Sequence, residues 1–185
     1  MDALLNGGQD ILEVTMTTPN AIEMIGDASD KYRGSAIIGV GTVLDAETAE
    51  NAIGAGAEFV VSPSLHKEVI DVCKSRGVVS IPGTFTATEV VSAWKGGADL
   101  IKVFPISEVG PSYIKALKGP LPDVHLIPTG GVDVNNAADF IKAGAYCLGV
   151  GGSLVSMEAI NAERYKELTN YAKKLLSILK EARRT

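Results

Sequence analysis

Two ionisable side chains stand where strands of this composition normally carry apolar ones. The stretch "ADLIKVFP", residues 98 to 105, reads as a buried strand: Leu100, Ile101, Val103 and Phe104 are apolar, and a proline ends the run. Side chains alternate faces along a strand, so Lys102 points the same way as Leu100 and Phe104. In "DILEVTM", residues 10 to 16, Glu13 shares a face with Ile11 and Thr15, while Leu12, Val14 and Met16 form the other. A lysine among apolar groups is poorly solvated, so its pKa falls and its neutral amine can attack a carbonyl. A nearby carboxylate can move protons on and off the adduct. The alternative is a buried structural Lys–Glu pair, since charged residues are seldom fully buried unless paired. Two glycine pairs, in "PTGG" (128–131) and "VGGS" (150–153), add a second chemistry. Glycines let backbone N–H groups approach an anion closely. Taken singly, each pair is equally an ordinary tight turn.

The elements that must position these residues repeat along the chain. A helix-like stretch, a glycine and a short apolar strand recur, with marker glycines at Gly8, Gly34, Gly56, Gly77, Gly97, Gly119 and Gly144. Their spacings are 26, 22, 21, 20, 22 and 25 residues. A glycine is expected there because helices commonly close with a left-handed residue just past their end. Strands alternating with amphipathic helices imply parallel βα units. The short, even period and the absence of G-x-G-x-x-G after the first strand favour a (β/α)8 TIM barrel over a doubly wound sheet. In a barrel, Glu13 and Lys102 lie four strands apart and face each other across the interior. The two glycine pairs fall on the loops after strands seven and eight, the usual phosphate position. Only seven strands are visible, and "MDALLN" reads as the tail of a helix, so the barrel is expected to lack its first strand in this chain. The full protein is then expected to be longer by roughly 25–30 residues, about one βα unit.

Bulk properties narrow the function classes. The 185 residues are 46% hydrophobic, which suits a single domain over residues 1–185. Net charge is −5 with the charges interspersed, which argues against a nucleic-acid partner. No run approaches the roughly 18 apolar residues of a membrane span, and no leader is visible at the start. Cys73 and Cys147 are isolated and read as core thiols of a cytoplasmic protein. His66 and His125 have no carboxylate cluster around them, so no metal is expected. Trp94 and Tyr113 read as helix packing residues.

The motifs "LEVTM", "IGVGTVL", "VSPSLHKEV", "IPGTFTATE", "LIKVFPISEVGPSYIKALKGPLP" and "IPTGGV…NAADFIKAGA…GVGGSLV" resemble the class I 2-keto-3-deoxy-6-phosphogluconate (KDPG) and 4-hydroxy-2-oxoglutarate (KHG) aldolases, in order from Leu4 to Val155. The resemblance implies a Schiff-base lysine at Lys102 and a proton-shuttling glutamate at Glu13. It places phosphate-binding groups at Gly130, Gly131, Gly152 and Ser153, and keto-acid pocket threonines at Thr42 and Thr129. Pro82 and Phe104 fall on pocket-wall positions. It further implies a phosphorylated keto-acid substrate, no cofactor, and a homotrimer. Many members carry an arginine after E-V-T-L that helps hold the pyruvate carboxylate; this chain has Thr17 there. Some relatives acting on the galactonate epimer also lack it, which leaves substrate stereochemistry open. A non-catalytic barrel binding phosphorylated sugar acids is the rival from another class.

Overall fold

The repeat is built as strands and helices in strict alternation over most of the chain. The computed structural model describes residues 1–184. In chain order the elements are α1 (Asp2–Leu5), β1 (Ile11–Thr15), α2 (Ala21–Lys31), β2 (Ile37–Gly41), α3 (Ala46–Gly54), β3 (Phe59–Val61), α4 (Lys67–Arg76), β4 (Val79–Ile81), β5 (Gly83–Thr84), α5 (Ala87–Gly96), β6 (Ile101–Val103), α6 (Gly110–Lys118), β7 (Leu126–Pro128), α7 (Ala137–Lys142), α8 (Met157–Asn161) and α9 (Tyr165–Ala182). Six of the seven marker glycines have positive φ, from 67° at Gly77 to 109° at Gly56. Gly119 differs: it closes α6 at φ −55°. There the Lys118 ammonium donates to the carbonyls of Pro122 and Val124, so a side chain ties down the turn before β7. The chain divides into two compact units, one spanning Asp10–Phe104 and one combining Met1–Gln9 with the chain from Pro105 onward.

In the Asp10–Phe104 unit, β1, β2, β3 and β4 pair in that order, all parallel. Leu12, Val14, Ile38 and Val40 are buried on one face, where α2 packs against β1 and β2. The fourth repeat, "VSIPGT", is split into β4 and β5 at Pro82, which has no N–H to give to a ladder. Pairing with the next strand nevertheless runs straight across the break. Leu100 donates to the Ser80 carbonyl, Lys102 to Pro82 and Phe104 to Thr84. Gly83 is needed at this point because a β-carbon would lie 2.2 Å from the Pro63 backbone. Helix α5 opens on a reciprocal cap: Glu89 N–H donates to the Thr86 hydroxyl, and the Glu89 carboxylate accepts from Thr86 N–H.

In the other unit, α9 carries the packing. Leu168, Ala172 and Leu175 are buried at helical spacing, and both α7 and α1 lie against the helix. The Thr169 hydroxyl donates to the Ala3 carbonyl at 2.7 Å. Gly7 has no room for a side chain, since a β-carbon would sit 2.5 Å from that of Ala172. The last strand of the repeat, following Gly144, is reduced to one parallel bridge, Gly149 to Thr129. Tyr146 donates to Leu126 and Gly149 to Pro128, so three steps on one side match two on the other. That one-residue excess is a bulge, and it interrupts the ladder.

The apolar side chains outside these packed faces include Trp94, which is 45% exposed rather than a packing residue. Cys73 is buried and Cys147 partly so, and both are free thiols. Burial pushes each thiol up to about 11, away from the reactive thiolate form. Among the described residues no helix is long and apolar enough to cross a membrane, and no group of three or more His, Cys, Asp or Glu could hold a metal.

Candidate active site

Strand β6 explains how a lysine comes to lie in an apolar run. Ile101 and Val103 are fully buried on one face, and Lys102 is half-buried on the other. Its ammonium nitrogen lies 4.8 Å from the centroid of the Phe104 ring, the next residue on the same face. Burial pushes the Lys102 amine below its ordinary value, and the Glu13 charge partly opposes that shift. Glu13 mirrors it: burial raises the carboxyl, and the Lys102 charge lowers it. Surrounding protein limits hydration of the Glu13 carboxyl, although the side chain still reaches solvent. Among the described residues no ion pair or hydrogen bond joins the two. A structural pair would close to contact to offset its desolvation. Here the charges sense each other without closing, which is the arrangement a nucleophile and a proton carrier require.

The signs of these shifts give a first expected result. Only the neutral amine attacks a carbonyl, so imine formation rises with pH along the Lys102 titration. The Glu13 carboxylate raises that pKa, so Glu13→Gln moves the rising limb to lower pH. The pH dependence of pyruvate-dependent inactivation by borohydride measures the shift. A limb that stays in place or moves upward would separate the two groups electrostatically.

The remaining residues of this unit cluster at strand ends. Thr42 follows β2 with φ 61°, a left-handed backbone that a β-branched residue adopts only at a cost of about 1–3 kcal/mol. Pro82 is buried in the break between β4 and β5, and Phe104 is half-buried after β6. Sequence reasoning overlooked a hydroxyl cluster at the end of β1. The Thr15 hydroxyl lies 2.8 Å from that of Thr17 and 3.4 Å from that of Thr18. Its signal was the spacing "TMTT", three hydroxyls within four residues.

In the other unit the two glycine loops are joined. The Ser153 hydroxyl donates to the Val132 carbonyl at 2.7 Å, and Thr129 bridges to Gly149. Gly130 and Gly131 both have left-handed backbones, φ 86° and 81°. Gly149 has no space for a β-carbon, which would lie 2.2 Å from the Thr129 hydroxyl. Asn136 donates to the Gly131 carbonyl and Asp133 accepts from the N–H groups of Asn135 and Asn136, so the loop is tied by its own side chains. Gly152 and Ser153 are exposed. Thr129, Gly130, Gly131, Gly152 and Ser153 thus form one neighbourhood, while Glu13, Thr42, Pro82, Lys102 and Phe104 belong to the Asp10–Phe104 unit.

The family model "KDPG and KHG aldolase" matches residues 1–171. The chain is 39% identical over 153 residues to the 2-dehydro-3-deoxy-6-phosphogalactonate aldolase of Escherichia coli (strain K12), covering 82% of this chain and 75% of that one. It is 37% identical over 179 residues to the 2-dehydro-3-deoxy-phosphogluconate aldolase of Treponema pallidum (strain Nichols), covering 96% and 84%. Among solved structures, the KDPG aldolase of Legionella pneumophila, with pyruvate captured as a covalent carbinolamine, superposes with a TM-score of 0.88 at 29% identity, covering 94% of this chain and 84% of that one. The chain belongs to the KDPG and KHG aldolase family.

Proposed function

We propose that this protein is a Schiff-base aldolase that cleaves 2-keto-3-deoxy-6-phosphogluconate to pyruvate and glyceraldehyde 3-phosphate. The observation that carries the reading is Lys102: half-buried, depressed in pKa, and within electrostatic reach of an unbonded Glu13. The Lys102 amine adds to the C2 ketone, giving a carbinolamine that loses water to an iminium. Glu13, directly or through a water, takes the proton of the C4 hydroxyl. The C3–C4 bond then breaks, its electrons flow into the iminium, and glyceraldehyde 3-phosphate leaves. The resulting enamine takes a proton at C3 from Glu13, and hydrolysis of the iminium releases pyruvate and the free amine. The iminium is the electron sink, so the chemistry calls for no metal or cofactor.

The loops at 128–131 and 150–153 would hold the substrate phosphate on backbone N–H groups. Thr42 and Thr129 would line the keto-acid pocket, with Pro82 and Phe104 as its walls. Gly152 offers a clean test, because its backbone is not left-handed and nothing lies within 4 Å of an added β-carbon. Gly152→Val should therefore fold, and should lower kcat/KM for the phosphorylated keto acid much more than for 4-hydroxy-2-oxoglutarate. Equal losses on both would remove the phosphate assignment.

A second reading is cleavage of the 6-phosphogalactonate epimer. It is favoured by Thr17, a neutral hydroxyl bonded to that of Thr15, standing where many relatives carry an arginine. Comparing kcat/KM for the two epimers and for 4-hydroxy-2-oxoglutarate, by following pyruvate release, decides among the three. No release from any of them would favour a non-catalytic binding role. The family resemblance further supports a cytoplasmic homotrimer, measurable by sedimentation.

A further inference from the structure

Strand β2 reads "IIGVG", and its two glycines, Gly39 and Gly41, lie on the same face of the sheet as Glu13. That face of β2 therefore presents no side chain between Ile37 and Thr42. Neighbouring strands fill the space. A β-carbon at Gly39 would lie 2.4 Å from the ring of Phe59 on β3. A β-carbon at Gly41 would lie 1.7 Å from Glu13 Oε1 and 2.5 Å from its carboxyl carbon, and the three nearest atoms all belong to Glu13. The register sharpens the point. Glu13 and Phe59 are both opposite Gly39, one from each side. They cannot both lie over it. The Phe59 ring takes that position, and the Glu13 side chain leans along the strand direction to lie over Gly41.

We propose that Gly41 is a positioning residue for Glu13: its missing side chain is the seat that holds the carboxylate on the Lys102 side of the sheet. The inference rests on the reading of Glu13 as the proton carrier. A methyl group at position 41 occupies the place of the carboxylate and forces it elsewhere. The backbone at Gly41 is an ordinary strand conformation, so alanine adds no torsional strain. Its effect should then pass through Glu13 rather than through the fold.

A double-mutant cycle tests this. Gly41→Ala should lower kcat roughly 10- to 100-fold, part of the 10²–10⁴ that a positioned acid–base group supplies. KM should change little, and borohydride with pyruvate should still label Lys102. In a Glu13→Ala background the same Gly41→Ala change should alter kcat by less than about twofold, because no carboxylate remains to displace. Glu13→Asp, one methylene shorter, should recover part of the rate when combined with Gly41→Ala. An undiminished rate in Gly41→Ala, or an equal loss with and without Glu13, would overturn the proposal. If Gly41→Ala does not fold, recovery of folding in Gly41→Ala/Glu13→Ala would assign the defect to the same clash, and failure of both would overturn it. Full activity in Glu13→Ala alone would instead remove Glu13 as proton carrier, a failure distinct from that of the seat.

Discussion

Lys102→Arg is expected to abolish turnover, with a loss of at least about 10⁴-fold, on the scale seen when a covalent nucleophile is removed. A guanidinium stays protonated at any pH the protein tolerates and cannot add to a ketone. The charge is kept, so electrostatic support for Glu13 survives and the effect isolates nucleophilicity. The structure gives the substitution room to fold, because Lys102 is only half-buried and its strand is anchored by Ile101 and Val103 on the opposite face. The direct measurement is borohydride treatment with pyruvate followed by peptide mass analysis. The wild-type protein should carry a reduced pyruvyl group on the peptide containing Lys102, and the variant should carry none. Labelling at another lysine, or turnover persisting in the variant, would sink the assignment.

Glu13→Gln is expected to cost roughly 10²–10⁴-fold in kcat, the range for a positioned acid–base group. Glutamine is nearly the same shape and can lie over Gly41 as the carboxylate does, so packing is preserved. Stability should move in the opposite sense to activity. Burial raises the Glu13 pKa above its ordinary 4.5, so the folded state disfavours the charged form. The penalty is absent at low pH and develops as pH rises from the unfolded value through the raised folded one. At neutral pH the neutral amide removes the penalty, although it also removes the attraction to Lys102. Because desolvation is the larger cause, the variant should be at least as stable as the wild type by thermal unfolding. A variant that loses stability and keeps its rate would make Glu13 a structural residue.

The two residues proposed to carry the chemistry, Lys102 and Glu13, were legible because they break a pattern. A strand expected to be apolar on both faces has no packing reason to hold Lys102 on the face of Leu100 and Phe104, or Glu13 on the face of Ile11. The marker glycines were legible for a related reason: six of the seven adopt the left-handed backbone that glycine reaches without steric cost. Gly119 was misread because the ammonium of the preceding residue, Lys118, ties down the turn by bonding the carbonyls of Pro122 and Val124. The final strand was misread because hydrophobic pattern does not reveal a bulge; the slip of Gly149 against Pro128 is a property of the paired backbone.

The sequence by itself determined the βα period, the parallel class of the sheet, and which side chains share a face, because all three follow from local backbone geometry. It also carried the family's motifs. Tertiary structure alone decided how Glu13 and Lys102 relate: near enough to shift each other's pKa, yet not closed into an ion pair. It alone showed that the left-handed backbone at Thr42 adjoins Gly41, and that the Glu13 carboxylate lies where a side chain of Gly41 would be. Such facts depend on which atoms of neighbouring strands compete for one volume. A linear sequence states the competitors, and only packing in three dimensions determines which of them takes the space.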